Sequence, residues 1–563
     1  MTADEETEML ASVFEERAEY LTRAELTSWT ATTDRDKAIL SELRGPGAKL
    51  LSGPRGCGKS TLLRQAYFEV QEAGKDVPVY VNYSKSLALE PLFHKAANAL
   101  VLFRQWVLIK IILGYGEFVE SSGLQIPESL TPLLQEGHRF VQELETGAAG
   151  DPPERMLGPT ELVRLLEAWT REFARRRCIL LLDDAAHAFS PEQQREFFEI
   201  FRELRSRIVS AKAAVYPGIT SYSPNFHVGH EARIVEAWYQ PNEENYLATM
   251  REIVDRRLPE GFKKRLQGRE ELVDYLALAA FGIPRGFLVM LSNLLGVEEE
   301  DVQAPTRARA EAAVRDHAAS VRELFESLSG KLPRYKNFVQ LGVELTNESL
   351  GAVQKYNATT SGDKKAVTIA FPSPVSQDLE RMLSMLEYAG VMRDASTVSR
   401  GVKGVFQRYD IHYSLIIEAN SLSLGRSFST NSIVSSLSQR SGHAFVRTTP
   451  ERLLGKSYEK RCTLDLAPCQ NCGTPRLFEG AKFCMNCGRE LSTVSVYDEL
   501  LKSPIERLPL TKNKLASLTN HTAIKTVNDI LLDEDNTQLR KAPRVGPVWS
   551  KRIKRYAEEF VSV

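Results

Sequence analysis

The chain runs to 563 residues, too long for a single hydrophobic core, and at about 100–200 residues per domain it predicts three to five units. Its make-up is that of an ordinary soluble globular protein, 43% hydrophobic and 26% charged. A formal net charge of −1 excludes a global attraction to nucleic acid or to a membrane surface, so any such binding must come from local patches.

In chain order, residues 1–35 read as a polar helical lead-in, with Phe14, Tyr20 and Leu21 available to pack on the next unit. The acidic start Met1-Thr2-Ala3-Asp4-Glu5-Glu6 lacks the basic-then-apolar pattern of a signal peptide and predicts a protein that stays in the cytoplasm. The run Leu50-Leu51-Ser52 then breaks into Gly53-Pro54-Arg55-Gly56-Cys57-Gly58-Lys59-Ser60, a G-x-x-x-x-G-K-S pattern between a predicted strand and a predicted helix. Glycines there let backbone N–H groups close around phosphate oxygens, a lysine at Lys59 reaches the β- and γ-phosphates, and the Ser60 hydroxyl suits Mg²⁺. Gly53, Gly56, Gly58, Lys59, Ser60 and Thr61 are therefore candidate nucleotide-binding residues, with ATP or GTP and Mg²⁺ as expected ligands. The chain lacks an N-K-x-D base-reading motif, which favours ATP over GTP.

Val77-Pro78-Val79-Tyr80-Val81-Asn82-Tyr83 reads as a second buried strand. Residues 86–159 form a helical insertion closed by a Gly/Pro-rich loop. Its longest apolar run, Leu100 to Gly114, is interrupted by Arg104, Gln105 and Lys110; it reads as a buried helix, too short for a bilayer crossing, and no membrane partner is expected. Cys178-Ile179-Leu180-Leu181-Leu182 ends in two carboxylates, Asp183 and Asp184. Mg²⁺ takes oxygen ligands and a second acid can orient an attacking water, which makes Asp183 the metal-side residue and Asp184 the water-side one. A helix over 191–209 precedes a strand, Ala213 to Ser221, whose Thr220 is a candidate γ-phosphate sensor. Strands alternating with helices around such a loop predict an α/β unit over residues 36–240, a mostly parallel sheet with nucleotide at the strand carboxyl ends.

Residues 241–325 read as a helical lid containing Phe281-Gly282-Ile283-Pro284-Arg285-Gly286-Phe287-Leu288. This G-x-P-R segment resembles sensor 2 of AAA+ ATPases. With the loop GPRGCGKS, the strand VYVN, the LLLDD box and the strand reaching Thr220, the order is similar to that of the origin-recognition and replication-initiator branch of that family, over residues 36–420. The resemblance implies that Arg285 contacts the γ-phosphate from the lid. It also makes Arg233, just before Ile234-Val235-Glu236-Ala237-Trp238, a candidate arginine finger reaching a neighbour's nucleotide in an ATP-dependent homo-oligomer. Family members that hydrolyse ATP well carry Asp-Glu where this chain has Asp183-Asp184, which predicts slow hydrolysis and a switch-like use of nucleotide.

Residues 326–420 change to helix, helix and hairpin, with an amphipathic helix over Leu379 to Ala389 stopped by Gly390. The basic hairpin (Arg393, Arg400, Lys403, Arg408) is similar to a winged helix, which in that family follows the lid and grips duplex DNA; packing against protein is the alternative. Residues 421–465, serine-rich at first, read as a linker.

Residues 466–495 hold Cys469-x-x-Cys472-Gly473 and Cys484-x-x-Cys487-Gly488, four thiolates at the spacing of a Zn²⁺ ribbon that binds DNA or protein. Arg476, Lys482 and Arg489 are its nearby cations. Residues 496–563 resemble the small all-α helix-hairpin-helix domain at the C-terminus of the bacterial RNA polymerase α subunit. Arg540, Lys541, Arg544, Gly546, Lys551 and Arg552 lie in its most basic stretch and are candidate DNA contacts, with Arg544 standing where the first hairpin glycine usually sits. The alternatives there are a solvated basic helix and a protein-docking domain.

The expected function is an ATP-dependent, DNA-binding AAA+ ATPase of replication-initiator type, associated with the nucleoid, in which nucleotide controls engagement of double-stranded DNA. The competing expectation is a P-loop ATPase that serves as sensor or regulator in antiviral defence or transposition and recruits an effector protein.

Overall fold

The computed structural model describes residues 13–14, 21–95, 98–146, 152–153, 155–185, 191–297, 304–360, 364–425, 429–438, 443–477, 481, 483–491, 495–533 and 535–562. Tyr20 and Lys482, singled out above, lie outside them. Five strands, β1 (Lys49–Ser52), β2 (Val77–Asn82), β3 (Cys178–Asp183), β4 (Val209–Val215) and β5 (Arg233–Glu236), form one sheet in the order β2-β3-β4-β1-β5, parallel throughout. All of β3 and β4 is buried, which is why β3 reads as an unbroken apolar run up to Asp183, whereas β4 also buries Ser210 and Lys212, whose ammonium donates to the Gly45 and Gly47 carbonyls. Leu51 sits between Ala214 of β4 and Val235 of β5, so the strand that feeds the glycine loop is interior to the sheet. β4 starts earlier than the sequence suggests and stops at Val215, two residues before Pro217, which has no N–H to donate to a ladder.

The insertion holds the helix Ala99–Ser121. At 23 residues it is long and apolar enough to cross a bilayer, contrary to the shorter run read from sequence, but 78% of its apolar window is buried inside the protein. It lies on β2 at Gly114, where an added Cβ would stand 2.7 Å from the Tyr80 carbonyl oxygen. A side chain there would lift the helix off the strand.

After β5 come the helices Tyr246–Arg257, Glu260–Leu266, Glu270–Ala279 and Pro284–Leu295, then the long Arg307–Lys331 and Lys336–Ala358. A second sheet, β6 (Thr368–Pro372), β7 (Met392–Ser399), β8 (Val405–Ile411) and β9 (Val446–Arg447), has the order β7-β8-β6-β9, with β9 parallel to β6 and the other pairs antiparallel. The region read as a winged helix therefore runs helix, strand, helix (Gln377–Tyr388), hairpin. That last helix is packed inward: Leu379, Met382, Leu383, Met385, Leu386 and Tyr388 are buried. The Ser384 carbonyl oxygen lies so close to Gly218 of the first unit that a Cβ on Gly218 would stand 2.2 Å from it. Arg393, expected to be a hairpin cation, is 3% exposed and bonds Asp410 of β8 at 2.9 Å, because adjacent strands turn both side chains to the same inner face. Arg400 and Arg408 are half-buried beside the Phe445 ring.

The stretch read as a linker is structured in its described residues. The helix Thr430–Ser438 buries Ile433 and Leu437, one turn apart, and packs on Glu270–Ala279, while β9 pairs with β6. Serines hide this pattern because only two large apolar residues are needed to anchor so short a helix. The tail contributes the helices Val496–Leu501, Lys512–His521, Val527–Leu532 and Pro547–Val561.

Candidate functional site

β1 ends at Ser52 and the helix Lys59–Ala73 begins at Lys59, so the loop between them aims a helix N-terminus across the carboxyl end of the sheet. Gly56 and Gly58 take φ of 81° and 99°, the left-handed region that turns successive N–H groups to one side. A Cβ on Gly58 would meet nothing within 4 Å, so the demand for glycine there is conformational and the space beside it is open. Lys59 is 5% exposed and folds back on its own loop, donating to the carbonyl oxygens of Gly53 at 2.7 Å and Pro54 at 3.0 Å. Burial pushes its ammonium pKa below the ordinary value, opposed by Cys57, Asp184 and Asp183. Ser60 and Thr61 follow in the first helical turn, both half-buried.

Asp183 closes β3 at 1% exposure; its carboxylate accepts from the Tyr80 hydroxyl at 2.8 Å and from the Asp184 N–H at 3.0 Å. Asp184 has φ 50°, uncommon for a residue with a side chain, and accepts from the Tyr216 hydroxyl at 2.8 Å. Tyr216 is the residue sequence reading missed. It follows β4 directly, its ring centroid is 3.9 Å from the Lys59 ammonium, and it joins the glycine loop to the acidic pair. Burial, with Asp184 adding to it, holds the phenol well above its ordinary pKa, so it remains a donor. A buried tyrosine one residue past an apolar strand was the available signal. Thr220 is instead turned into its own loop: its hydroxyl donates to the Tyr216 carbonyl at 2.6 Å and accepts the Tyr216 N–H at 3.2 Å. It holds Tyr216 and reaches no part of the glycine loop through those bonds.

Arg285 opens the helix Pro284–Leu295 against the same loop. Its N–H donates to the Gly56 carbonyl at 3.4 Å, and a Cβ on Gly56 would stand 3.0 Å from the Arg285 Cβ. The structure thus brings Lys59, Asp183, Asp184 and Arg285 around one loop. Arg233 lies elsewhere, at the start of β5 opposite Lys49, exposed and paired with Glu42 at 2.9 Å; it sits at the far end of the strands from this chain's own loop.

Cys469, Cys472, Cys484 and Cys487 offer sulfurs all within 4.8 Å of one another, with Cys469–Cys487 at 3.6 Å and Cys472–Cys484 at 3.5 Å. A tetrahedral Zn–S length of about 2.3 Å requires sulfurs about 3.8 Å apart, so this donor set fits zinc. Gly473 and Gly488 take φ of 69° and 67°, and their N–H groups return to the carbonyls of Cys469 and Cys484.

In the tail hairpin, Arg544 adopts φ 63° at the glycine-like position, so the turn forms with an arginine in the left-handed region, and its carbonyl accepts from Lys514. Arg540, Lys541, Arg544 and Lys551 are exposed and Gly546 is half-buried. Arg552 is 4% exposed, stacked on Trp549, and is packing and not surface.

No protein-family model and no curated protein matches the chain. Among solved structures, it overlaps Cdc6p from Pyrobaculum aerophilum at 16% identity, covering 73% of this chain and 97% of that one, with a TM-score of 0.28. It also overlaps the ORC2 protein of Aeropyrum pernix, solved as ADPNP and ADP complexes, at 14% identity over 73% and 96% of the two chains, with a TM-score of 0.33. Overlaps this loose assign nothing by themselves, and the functional reading rests on the residues.

Proposed function

We infer that the chain is an ATP-dependent, DNA-engaging ATPase of replication-initiator type. The observation that carries this is the convergence of Lys59, the Asp183–Asp184 pair and Arg285 on a single glycine loop. The loop N–H groups and Lys59 bind the phosphates of ATP; Lys59 leaves the Gly53 and Pro54 carbonyls to do so. Ser60 and Asp183 would hold Mg²⁺, which would supply neutralisation of the phosphate charge. Asp184, fixed by the Tyr216 hydroxyl, orients the attacking water, and Arg285 reads the γ-phosphate from the lid. Aspartate at the water-side position is one methylene shorter than glutamate, which makes hydrolysis slow and the nucleotide a switch.

DNA engagement is supported by the tail hairpin, where Arg540, Lys541, Arg544 and Lys551 are exposed together. Such cations release counterions from the phosphate backbone without reading bases. The inward packing of Gln377–Tyr388 leaves the tail as the better candidate for first DNA contact. Arg233, exposed on edge strand β5, is what the chain would offer a neighbouring copy in a homo-oligomer. The test is ATP turnover with and without duplex DNA. Turnover below about 1 s⁻¹, the low end for enzymes, and altered several-fold by duplex is expected. Turnover indifferent to duplex at every concentration would contradict the reading.

A further inference from the structure

The far end of the chain rests on the glycine loop. Arg55, inside the loop, donates to the Ser562 hydroxyl at 2.6 Å. Arg285 pairs with Glu559 at 3.1 Å, and Lys331 donates to the Ser562 carbonyl at 2.6 Å. Lys331 and Ser562 are 7% and 5% exposed, so this is a closed seam and not a grazing contact. The groups presented to these cations are a carboxylate, a hydroxyl and a carbonyl at the negative end of the helix Pro547–Val561. They are oxygen acceptors of the kind a polyphosphate offers.

We propose that the segment Glu559–Ser562 is an intramolecular occupant of the nucleotide rim, which ATP must displace because its γ-phosphate and Glu559 compete for the same arginine, Arg285. The proposal rests on the nucleotide-site reading above and adds its regulation. The same fifteen-residue helix carries the basic hairpin at its other end, about 22 Å away at 1.5 Å per residue. The helix is packed on Val496–Leu501 and Val527–Leu532, so release of its C-terminal end loosens the tail helices together, and duplex bound at the hairpin pulls against the seam. By linkage, whatever ATP does to tail docking, an engaged tail does to ATP affinity. Burial, reinforced by Arg55 and opposed by Glu559, pushes Lys331 down to about 7, in keeping with cations gathered closely at the rim.

The test uses the full chain: titration with fluorescent ATP and ADP analogues of wild type, Glu559→Gln and Lys59→Ala, together with amide hydrogen exchange over residues 547–561. Glu559→Gln is expected to tighten the ATP analogue by roughly two- to fivefold, the upper range of a partly exposed charge contact, with a smaller effect on ADP. Saturating ATP analogue is expected to raise exchange in 547–561 of the wild type. Wild-type and Glu559→Gln affinities within twofold of each other, with exchange unchanged by bound nucleotide, would overturn the proposal alone. Nucleotide binding that is absent, or insensitive to Lys59→Ala, would overturn the nucleotide-site reading itself.

Discussion

Replacing Lys59 by alanine lowers affinity for ATP by about ten- to a hundredfold, the value of a lost hydrogen bond to a charged group. The chain stays folded, because the lysine's ammonium bonds two carbonyls of its own loop and burial already disfavours its charge. The alanine removes that penalty as well as the two bonds. A binding titration with a slowly hydrolysed ATP analogue in Mg²⁺, run beside a thermal melt, separates the two effects. Affinity falls while the melting temperature moves little. A variant that binds nucleotide as the wild type does would mean that the loop is not the site.

The second large effect concerns the four cysteines. Purified protein is expected to release one zinc ion per chain, and Cys484→Ser to lose it. Structural zinc supplies apparent binding energies of about 10–16 kcal/mol in small motifs, and the described residues of the ribbon bury little apolar surface to fold around. Its buried described residues are Cys469, Ala481 and Cys484, while Leu477, Phe483 and Met485 are 73%, 60% and 75% exposed. Without metal, 469–491 should become protease-sensitive while nucleotide affinity is retained, since none of the four cysteines joins the apolar cores beneath the two sheets. Zinc absent from purified protein, with the ribbon still protected, would contradict the assignment.

What sequence disclosed was local chemistry. The glycine loop, the acid-ended strand β3 and the paired cysteines are each compact in sequence, the widest of them the eighteen positions from Cys469 to Cys487, and the structure assembles the groups they predict. Most of the misreadings involve partners supplied by another strand, helix or loop; Arg552, stacked on Trp549 of its own helix, is the exception. Arg393 looked like a surface cation because Asp410, which buries it, comes from the neighbouring strand. Thr220 was the nearer hydroxyl to the expected sensor, yet Tyr216 reaches Asp184 because the end of β4 places it there. Ile433 and Leu437 were lost among serines until Glu270–Ala279 supplied the surface they cover. The contact of Glu559 with Arg285 joins residues 274 positions apart, and no periodicity or motif encodes it.

Whether nucleotide governs DNA engagement is decided by duplex affinity at one fixed salt concentration, measured without nucleotide and with saturating ATP analogue. Binding is expected to tighten by about 5- to 150-fold with analogue, the span of ordinary allosteric coupling, and to show no such change in Lys59→Ala. An affinity that is the same with and without analogue, and the same again in Lys59→Ala, would contradict that control.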